Sequence, residues 1–367
     1  MHLESLSLHN FKNFREITVQ FEDRITCILG ENGSGKTNLL DAIYYLSLGK
    51  SAFNPQDNQN INHGELFFSI LGNLRTNGDF ASIQCSLKKG NKKRLRVNGV
   101  DYPKLSEHVG KYPLVLIAPD DSDLVREHSE ARRKFIDGIL CQFSQDYLSD
   151  LMKYNNILKQ RNAALKSLSE KKKPDKTLFE VYNKSLFDLN RVIHTFRSNF
   201  IENFKPYLNS YYSDISEDKE EISLSYKSSV KARDFEKVFR NNFERDLILQ
   251  RTELGIHRDD FIFKINSHGL KKFGSQGQQK SFIISLKLAH YQFLKEEKKI
   301  LPLLLLDDIF DKLDDRRISR FMKVMKSPDF GQVFMTDARQ KRSRDIIKKN
   351  KIKAKFICID NNIIKAC

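Results

Sequence analysis

Gly30-Glu31-Asn32-Gly33-Ser34-Gly35-Lys36-Thr37 follows the apolar run Arg24-Ile25-Thr26-Cys27-Ile28-Leu29 and precedes a stripe of Leu39, Leu40, Ile43 and Leu46. The octapeptide satisfies G-x-x-x-x-G-K-[ST]. Glycine lets the backbone wrap an anion so that successive N–H groups point inward. A helix starting near Lys36 and ending near Leu48 adds its N-terminal dipole. In this pattern Lys36 reaches the β and γ phosphates and the Thr37 hydroxyl holds Mg²⁺. Gly30, Glu31, Asn32, Gly33, Ser34, Gly35, Lys36, Thr37 and the adjoining Asn38 are the candidate nucleotide-binding residues. A buried strand before the loop and an apolar-striped helix after it are the context that the motif demands, so an α/β fold is expected.

A second motif lies far along the chain. Leu303-Leu304-Leu305-Leu306 is a buried-strand run that ends in Asp307-Asp308. A carboxylate at such a strand end can hold the Mg²⁺ shared with the phosphates. Its neighbour can polarise the attacking water. Asp307 is therefore the candidate metal ligand, and Lys36 and Asp308 the candidate catalytic residues. Between the two motifs, Gly274-Ser275-Gln276-Gly277-Gln278-Gln279-Lys280 opens a long helix. Ser275 suits an N-cap, and free N–H groups there suit an anion.

In this order the three motifs resemble those of ABC ATPases, whose Leu-Ser-Gly-Gly-Gln signature corresponds to Gly274 through Gln278, with Gly274 and Gln276 as replacements. The whole chain resembles the RecF family of bacterial recombination mediators. The resemblance runs through Leu6–Arg15, the phosphate loop, Ala118-Pro119-Asp120-Asp121, Ala131–Asp137, Gln160-Arg161-Asn162, Gly255–Asp260, Ser275–Gln278 and Leu306-Asp307-Asp308. It implies an ABC-type ATPase head, SMC/Rad50-like, with an inserted, mainly α-helical second lobe and no long coiled coil. It implies ATP and Mg²⁺ as cofactors and an ATP-dependent homodimer in which Ser275, Gly277 and Gln278 of one subunit cap the other's γ-phosphate. It further implies binding to double-stranded or gapped DNA and to single/double-strand junctions, with RecR-like and RecO-like partners that help RecA load. Two departures point to slow, DNA-stimulated hydrolysis. Asp308 stands where fast relatives usually carry Glu, and the switch His is absent, its strand ending in Thr336-Asp337. Asp120 or Asp121 falls where ABC proteins keep the lobe-joining loop that touches the metal. A non-catalytic nucleotide-gated scaffold is the rival reading. A transporter subunit is disfavoured by the charge and the helical insertion.

The texture of the chain agrees with this order. Alternating apolar residues make the first ~120 residues β-rich, and Asn98-Gly99 is a hairpin turn signal. Helical spacing takes over in the middle, with one stripe through Leu178, Val181, Tyr182, Leu186, Leu189, Ile193, Phe196 and Phe200. A break is expected at Lys171-Lys172-Lys173-Pro174-Asp175. Strands return after 251. The expected division is 1–122 for the first part of the ATP-binding lobe, 123–255 for the helical insertion, and 256–367 for the signature helix, the acidic strand and the rest of the core. The best helix, about 178 to 205, would span roughly 40 Å, too short for an arm.

The chain has 367 residues, with Lys+Arg 63 against Asp+Glu 47 and a net charge of +16. That excess favours a polyanionic partner. Lys88, Lys89, Lys92, Lys93, Arg94 and Arg96 form one basic run with no acid between them. Arg339 to Lys355 form another, with Asp345 as the lone acid. Lys92, Lys93, Arg94, Arg339, Lys341, Arg342 and Arg344 are the candidate DNA contacts. No base-reading motif accompanies them, so binding driven by phosphates and indifferent to sequence is expected. No apolar run approaches the ~20 residues of a membrane span, and Met1-His2-Leu3-Glu4 does not begin a signal peptide. A cytoplasmic protein with no membrane partner is expected. Five scattered cysteines without a C-x-x-C pair suggest idle thiols. His257-Arg258-Asp259-Asp260 reads as a hydrogen-bonded turn rather than a metal cluster.

Overall fold

The computed structural model describes residues 1–168, 176–216, 220–231, 233–312, 314–360 and 362–366. The expected break at 171–175 lies outside them. The chain forms two units, Met1–Ser122 with Ser210–Lys219 and Ser275–Cys367, and Asp123–Asn209 with Glu220–Gly274.

The first unit holds two six-stranded sheets. One is antiparallel, in the order Phe14–Gln20, His2–Phe11, Phe67–Thr76, Asp79–Lys88, Arg94–Val97, Val100–Asp101. Strand alternation sends Leu6 and Leu8 inward and Ser7 outward, and the register holds the inward set together with Phe68 and Ile70. Asn98 and Gly99 both take positive φ, 51° and 80°, and close the last hairpin. The other sheet runs Ile363–Ala366, Lys355–Asp360, Ile25–Leu29, Val333–Asp337, Leu303–Leu306, Leu114–Ile117. It is parallel apart from the edge strand Ile363–Ala366. Its central strands are buried throughout, which explains their unbroken apolar runs. The helix Lys36–Leu48 packs Leu39, Leu40, Ile43 and Leu46 into one core with residues of both sheets. The topology therefore brings the loop at the end of Ile25–Leu29 beside the ends of Val333–Asp337 and Leu303–Leu306.

The second unit is mainly helical and carries a three-stranded antiparallel sheet. It runs on to Gly274 rather than stopping at 255, because Asp260–Ile265 pairs with Ile222–Lys227 in the register Asp260↔Lys227 to Ile265↔Ile222. The helix Lys176–Ser216 has 41 residues and contains Pro206, so it exceeds the expected span and measures about 60 Å. Proline forfeits one helical hydrogen bond. The buried stripe Phe200, Phe204, Leu208, Tyr212 and Ile215 continues through it at helical spacing, and that packing outweighs the loss. Arg197 is buried between Asp137, at 2.9 Å, and Asp259, at 3.1 Å. His257 donates from Nε2 to the Thr252 carbonyl at 2.9 Å, leaving Nδ1 to accept from the Tyr154 hydroxyl at 2.6 Å. The Gly255–Asp260 turn is thus a packed, hydrogen-bonded corner. Among the described residues no group of three or more His, Cys, Asp or Glu could hold a metal ion, and no helix is long and apolar enough to cross a membrane. Cys27 and Cys85 are buried free thiols.

Candidate nucleotide site

Gly33 and Gly35 take φ of 83° and 106°, a region other residues enter only at a cost. The Gly35 carbonyl accepts the first helical bond, from Leu39 N at 2.9 Å. No side chain caps the helix and no acid stands in its first turn, so its leading N–H groups face the loop. A Cβ on Gly35 would lie 2.4 Å from Asn13 Nδ2 and 2.8 Å from Phe14 Cζ. Asn13 itself braces the loop: its amide donates to the Ser34 carbonyl at 3.3 Å, and its Oδ1 accepts from Asn38 at 2.7 Å. Lys36 is buried, and its ammonium donates to the carbonyls of Gly30 and Glu31, both at 2.9 Å. That holds the cation at the loop.

Thr37 and Asp307 meet across 270 positions of sequence. The Thr37 hydroxyl lies 2.9 and 3.1 Å from the two carboxylate oxygens. Asp307 is 4% exposed. Burial raises its pKa, while bonds from Thr336 and Thr37 and the charge of Lys36 act the other way. Asp120 adds to the rise through its own charge. Asp121 is committed elsewhere, accepting from Ala118 N at 2.7 Å and pairing with Lys287 at 2.5 Å. Of the two, Asp120 is therefore the one that acts electrostatically on Asp307.

Asp308 takes a positive φ of 45°. Its N–H donates to the Thr336 hydroxyl at 3.0 Å, and that hydroxyl donates to Asp307 Oδ1 at 2.8 Å. Asp337, at the end of its strand, is buried and accepts from Arg339 N at 3.0 Å and from the Ser343 hydroxyl.

Ser275, Gly277 and Gln278 form a group of their own at the start of Gln276–Lys298. Ser275 Oγ accepts from Gln278 N at 3.2 Å, and Gln278 Oε1 accepts from Ser275 N at 2.6 Å. This is a capping box, legible in Ser-x-x-Gln. The Arg317 guanidinium lies over Gly277 and donates to Ser281 Oγ at 2.9 Å. Motif reading had no signal for Arg317, Asn13 or Thr336.

The two basic runs fare differently. Lys93 is tied to Asp57 at 2.7 Å. Arg94 and Arg96 share Asp101, at 2.5 and 3.0 Å. The run that looks uncompensated along the sequence is thus partly neutralised by acids from outside it. In the other run Arg339 and Lys341 are exposed. Arg342 faces Asp315 at 3.5 Å, and Arg344 lies over the Phe356 ring at 4.6 Å. Arg339, Lys341, Arg342 and Lys349 line a groove of about 630 Å³ with the acids Asp315 and Asp345.

The family model "RecF/RecN/SMC N terminal domain" matches residues 2–356. "DNA replication and repair protein RecF" of Flavobacterium johnsoniae is 46% identical over 95% of this chain and 97% of its own length. The protein of the same name from Cytophaga hutchinsonii is 41% identical over 100% of this chain and 97% of its own. The chain belongs to the RecF family. A solved structure described as the recombination mediator protein RecF-ATP in the RecFOR pathway has 27% identity and a TM-score of 0.90, and the match covers 100% of this chain and 97% of that one. An Smc head bound to the C-winged helix domain of ScpA, 16% identical with a TM-score of 0.58, shares the fold. RecF membership and these likenesses agree with an ABC-type, SMC-like head without a long coiled coil.

Proposed function

We propose that the protein is an ATP-gated, DNA-binding homodimer of recombinational repair that hydrolyses ATP slowly. The observation that carries this reading is the meeting of Thr37 and Asp307 beside a glycine-shaped loop with a buried lysine. Such a cradle suits phosphate oxygens. The two side chains offer hard oxygen donors of the kind Mg²⁺ takes, and a Mg²⁺ site completes its shell with waters and phosphates rather than a protein cage. Thr37 and Asp307 would hold Mg²⁺, which when bound neutralises charge between the β and γ phosphates. Lys36 places its cation against the same phosphates. Asp308 accepts a proton from, or orients, the attacking water. Asp308 is one methylene shorter than Glu, and Asp337 is engaged by Arg339 and Ser343, so slow turnover resetting a switch is the fitting regime.

The signature group at Ser275 would meet the partner subunit's nucleotide, so ATP would join the dimer. The relatives' names support a role in DNA replication and repair. Beyond the names, the reading extends to DNA at gaps or single/double-strand junctions and to RecR-like and RecO-like mediators that help RecA load. Arg339, Lys341 and Arg342 are the better DNA contacts, with Lys92 and Arg94 secondary. The test is steady-state ATP hydrolysis with and without gapped duplex DNA, with light-scattering mass alongside. ATP-dependent doubling of mass and DNA-stimulated turnover, both lost in Lys36→Ala, support the reading. Dimerisation without turnover would favour the non-catalytic scaffold, for which the short Asp308 and the engaged Asp337 also speak.

A further inference from the structure

We infer that Thr336 is a positioning residue for hydrolysis, one hydroxyl that sets both members of the acidic pair. The inference rests on the nucleotide reading above. Thr336 lies in Val333–Asp337, a strand buried throughout, and is itself fully buried. Its backbone pairs with Ile28, just ahead of the phosphate loop. The neighbouring strand Leu303–Leu306 stays in register with it only as far as Leu306↔Met335. Beyond that point the two acids leave the ladder in different ways. Asp307 N bonds to the Ile117 carbonyl at 2.8 Å. Asp308, turned to a positive φ, bonds through its N–H to Thr336 Oγ1 at 3.0 Å.

A threonine hydroxyl has one proton to give and lone pairs to receive. Here the proton goes to Asp307 Oδ1 at 2.8 Å, and a lone pair takes the Asp308 N–H. Asp307 is thereby held from two sides, by Thr37 from the phosphate-loop helix and by Thr336 from the adjacent strand. Asp308 is held through its main chain, at a positive φ, by the same hydroxyl. A branched side chain on a buried strand has little freedom at χ1, so the hydroxyl stays where both contacts need it. Catalytic groups lose effect steeply when they are misplaced by an ångström.

The test compares Thr336→Val, which keeps the shape and removes the hydroxyl, with Thr336→Ser, which keeps the hydroxyl and removes a methyl. Four quantities are read for each: kcat and KM for ATP, the Mg²⁺-dependent gain in ATP affinity by calorimetry, and the melting temperature without nucleotide. Losing a hydrogen bond to a charged group lowers kcat in Thr336→Val by about ten- to a hundredfold. The Mg²⁺-dependent gain in affinity shrinks, affinity without Mg²⁺ is unchanged, and Thr336→Ser stays near the parent. A packing role reverses the order, with Ser worse than Val, and overturns the inference, as does a Val variant with the parent's kcat and Mg²⁺ response. Thr336→Cys, with only a weak donor, covers a Val variant that does not fold, and parental kcat in it also overturns the inference. If the parent shows no Mg²⁺-dependent ATP binding, the nucleotide reading falls and takes this inference with it. If the parent binds and only the variants are indifferent, the inference alone falls.

Discussion

The Lys93 ammonium pairs with the Asp57 carboxylate at 2.7 Å, and 9% of the Lys93 side chain is exposed. The same ammonium lies 5.3 Å from the centre of the Tyr45 ring, whose hydroxyl also bonds to Asp57. A cation so engaged is a poor phosphate ligand. Lys93→Ala is expected to cost about 1–2 kcal/mol of stability and to leave the salt dependence of DNA affinity unchanged. Neutralising Arg339, Lys341 and Arg342 together should lower the log–log salt slope by up to about 2.7, at roughly 0.9 per phosphate contact. Adding Arg344, stacked on Phe356, should change it little. Affinities for one duplex at several salt concentrations decide this. A slope lowered by Lys93→Ala and not by the triple variant would move the DNA surface to the hairpin.

Asp307 and Asp308 should separate binding from turnover. Asp307→Asn is expected to weaken Mg²⁺-dependent ATP binding and dimer formation together. Asp308→Asn should keep both and lower single-turnover hydrolysis by about 10²–10⁴. Parental hydrolysis in Asp308→Asn would remove it from the catalytic role and make Asp120 the next carboxylate to test.

Ser275 carries two separable tasks. Ser275→Ala removes the acceptor for Gln278 N and should cost about 0.5–2 kcal/mol. Its ATP-dependent dimer should persist in weakened form. Ser275→Arg places a bulky cation at the helix start and should abolish dimerisation while each subunit still binds ATP. Light scattering beside nucleotide titration reads both. A Ser275→Arg protein that dimerises as the parent does would sink the signature assignment.

Acid should destabilise the fold through its buried histidines. Burial pushes His108 from 6.5 down to about 4, and His257 likewise. Both are neutral in the folded state, so below pH 6.5 the unfolded chain takes up protons that the folded chain does not. Their contribution is fully present above about 6.5 and is lost as pH falls toward 4. Buried Asp307, Asp246 and Asp259, with pKa values shifted upward, oppose the loss. His108→Gln retains a donor for the Leu46 carbonyl, which His108 reaches at 2.6 Å, and cannot titrate. Between pH 7 and 5 it should lose less stability than the parent, by up to about 2 kcal/mol in urea unfolding. Equal losses would show that His108 titrates normally.

What could be read from the sequence was what is local in it. The phosphate loop and its helix Lys36–Leu48 follow from spacing within about twenty residues, as do the strand before Asp307 and the Asn98-Gly99 turn. Thr336 shows along the sequence only as a strand end, because its meaning lies in two bonds to residues 28 and 29 positions away. Asn13, Arg317 and the Lys93–Asp57 pair escaped for the same reason: their partners arrive through tertiary packing, and no periodicity marks a lone polar residue for one. The helix Lys176–Ser216 runs past the expected end near 205 because the buried stripe continues on both sides of Pro206.

Arg197 has a consequence for how this protein can drift. Its guanidinium is buried between two carboxylates that come from segments 60 and 62 residues away. Removing either partner of such a buried pair costs about 3–5 kcal/mol, whereas exchanging the whole set for packed apolar groups can be neutral. Single substitutions at Arg197, Asp137 or Asp259 therefore lead downhill, and the neutral alternative lies several simultaneous changes away. The three positions are therefore expected to change together or not at all.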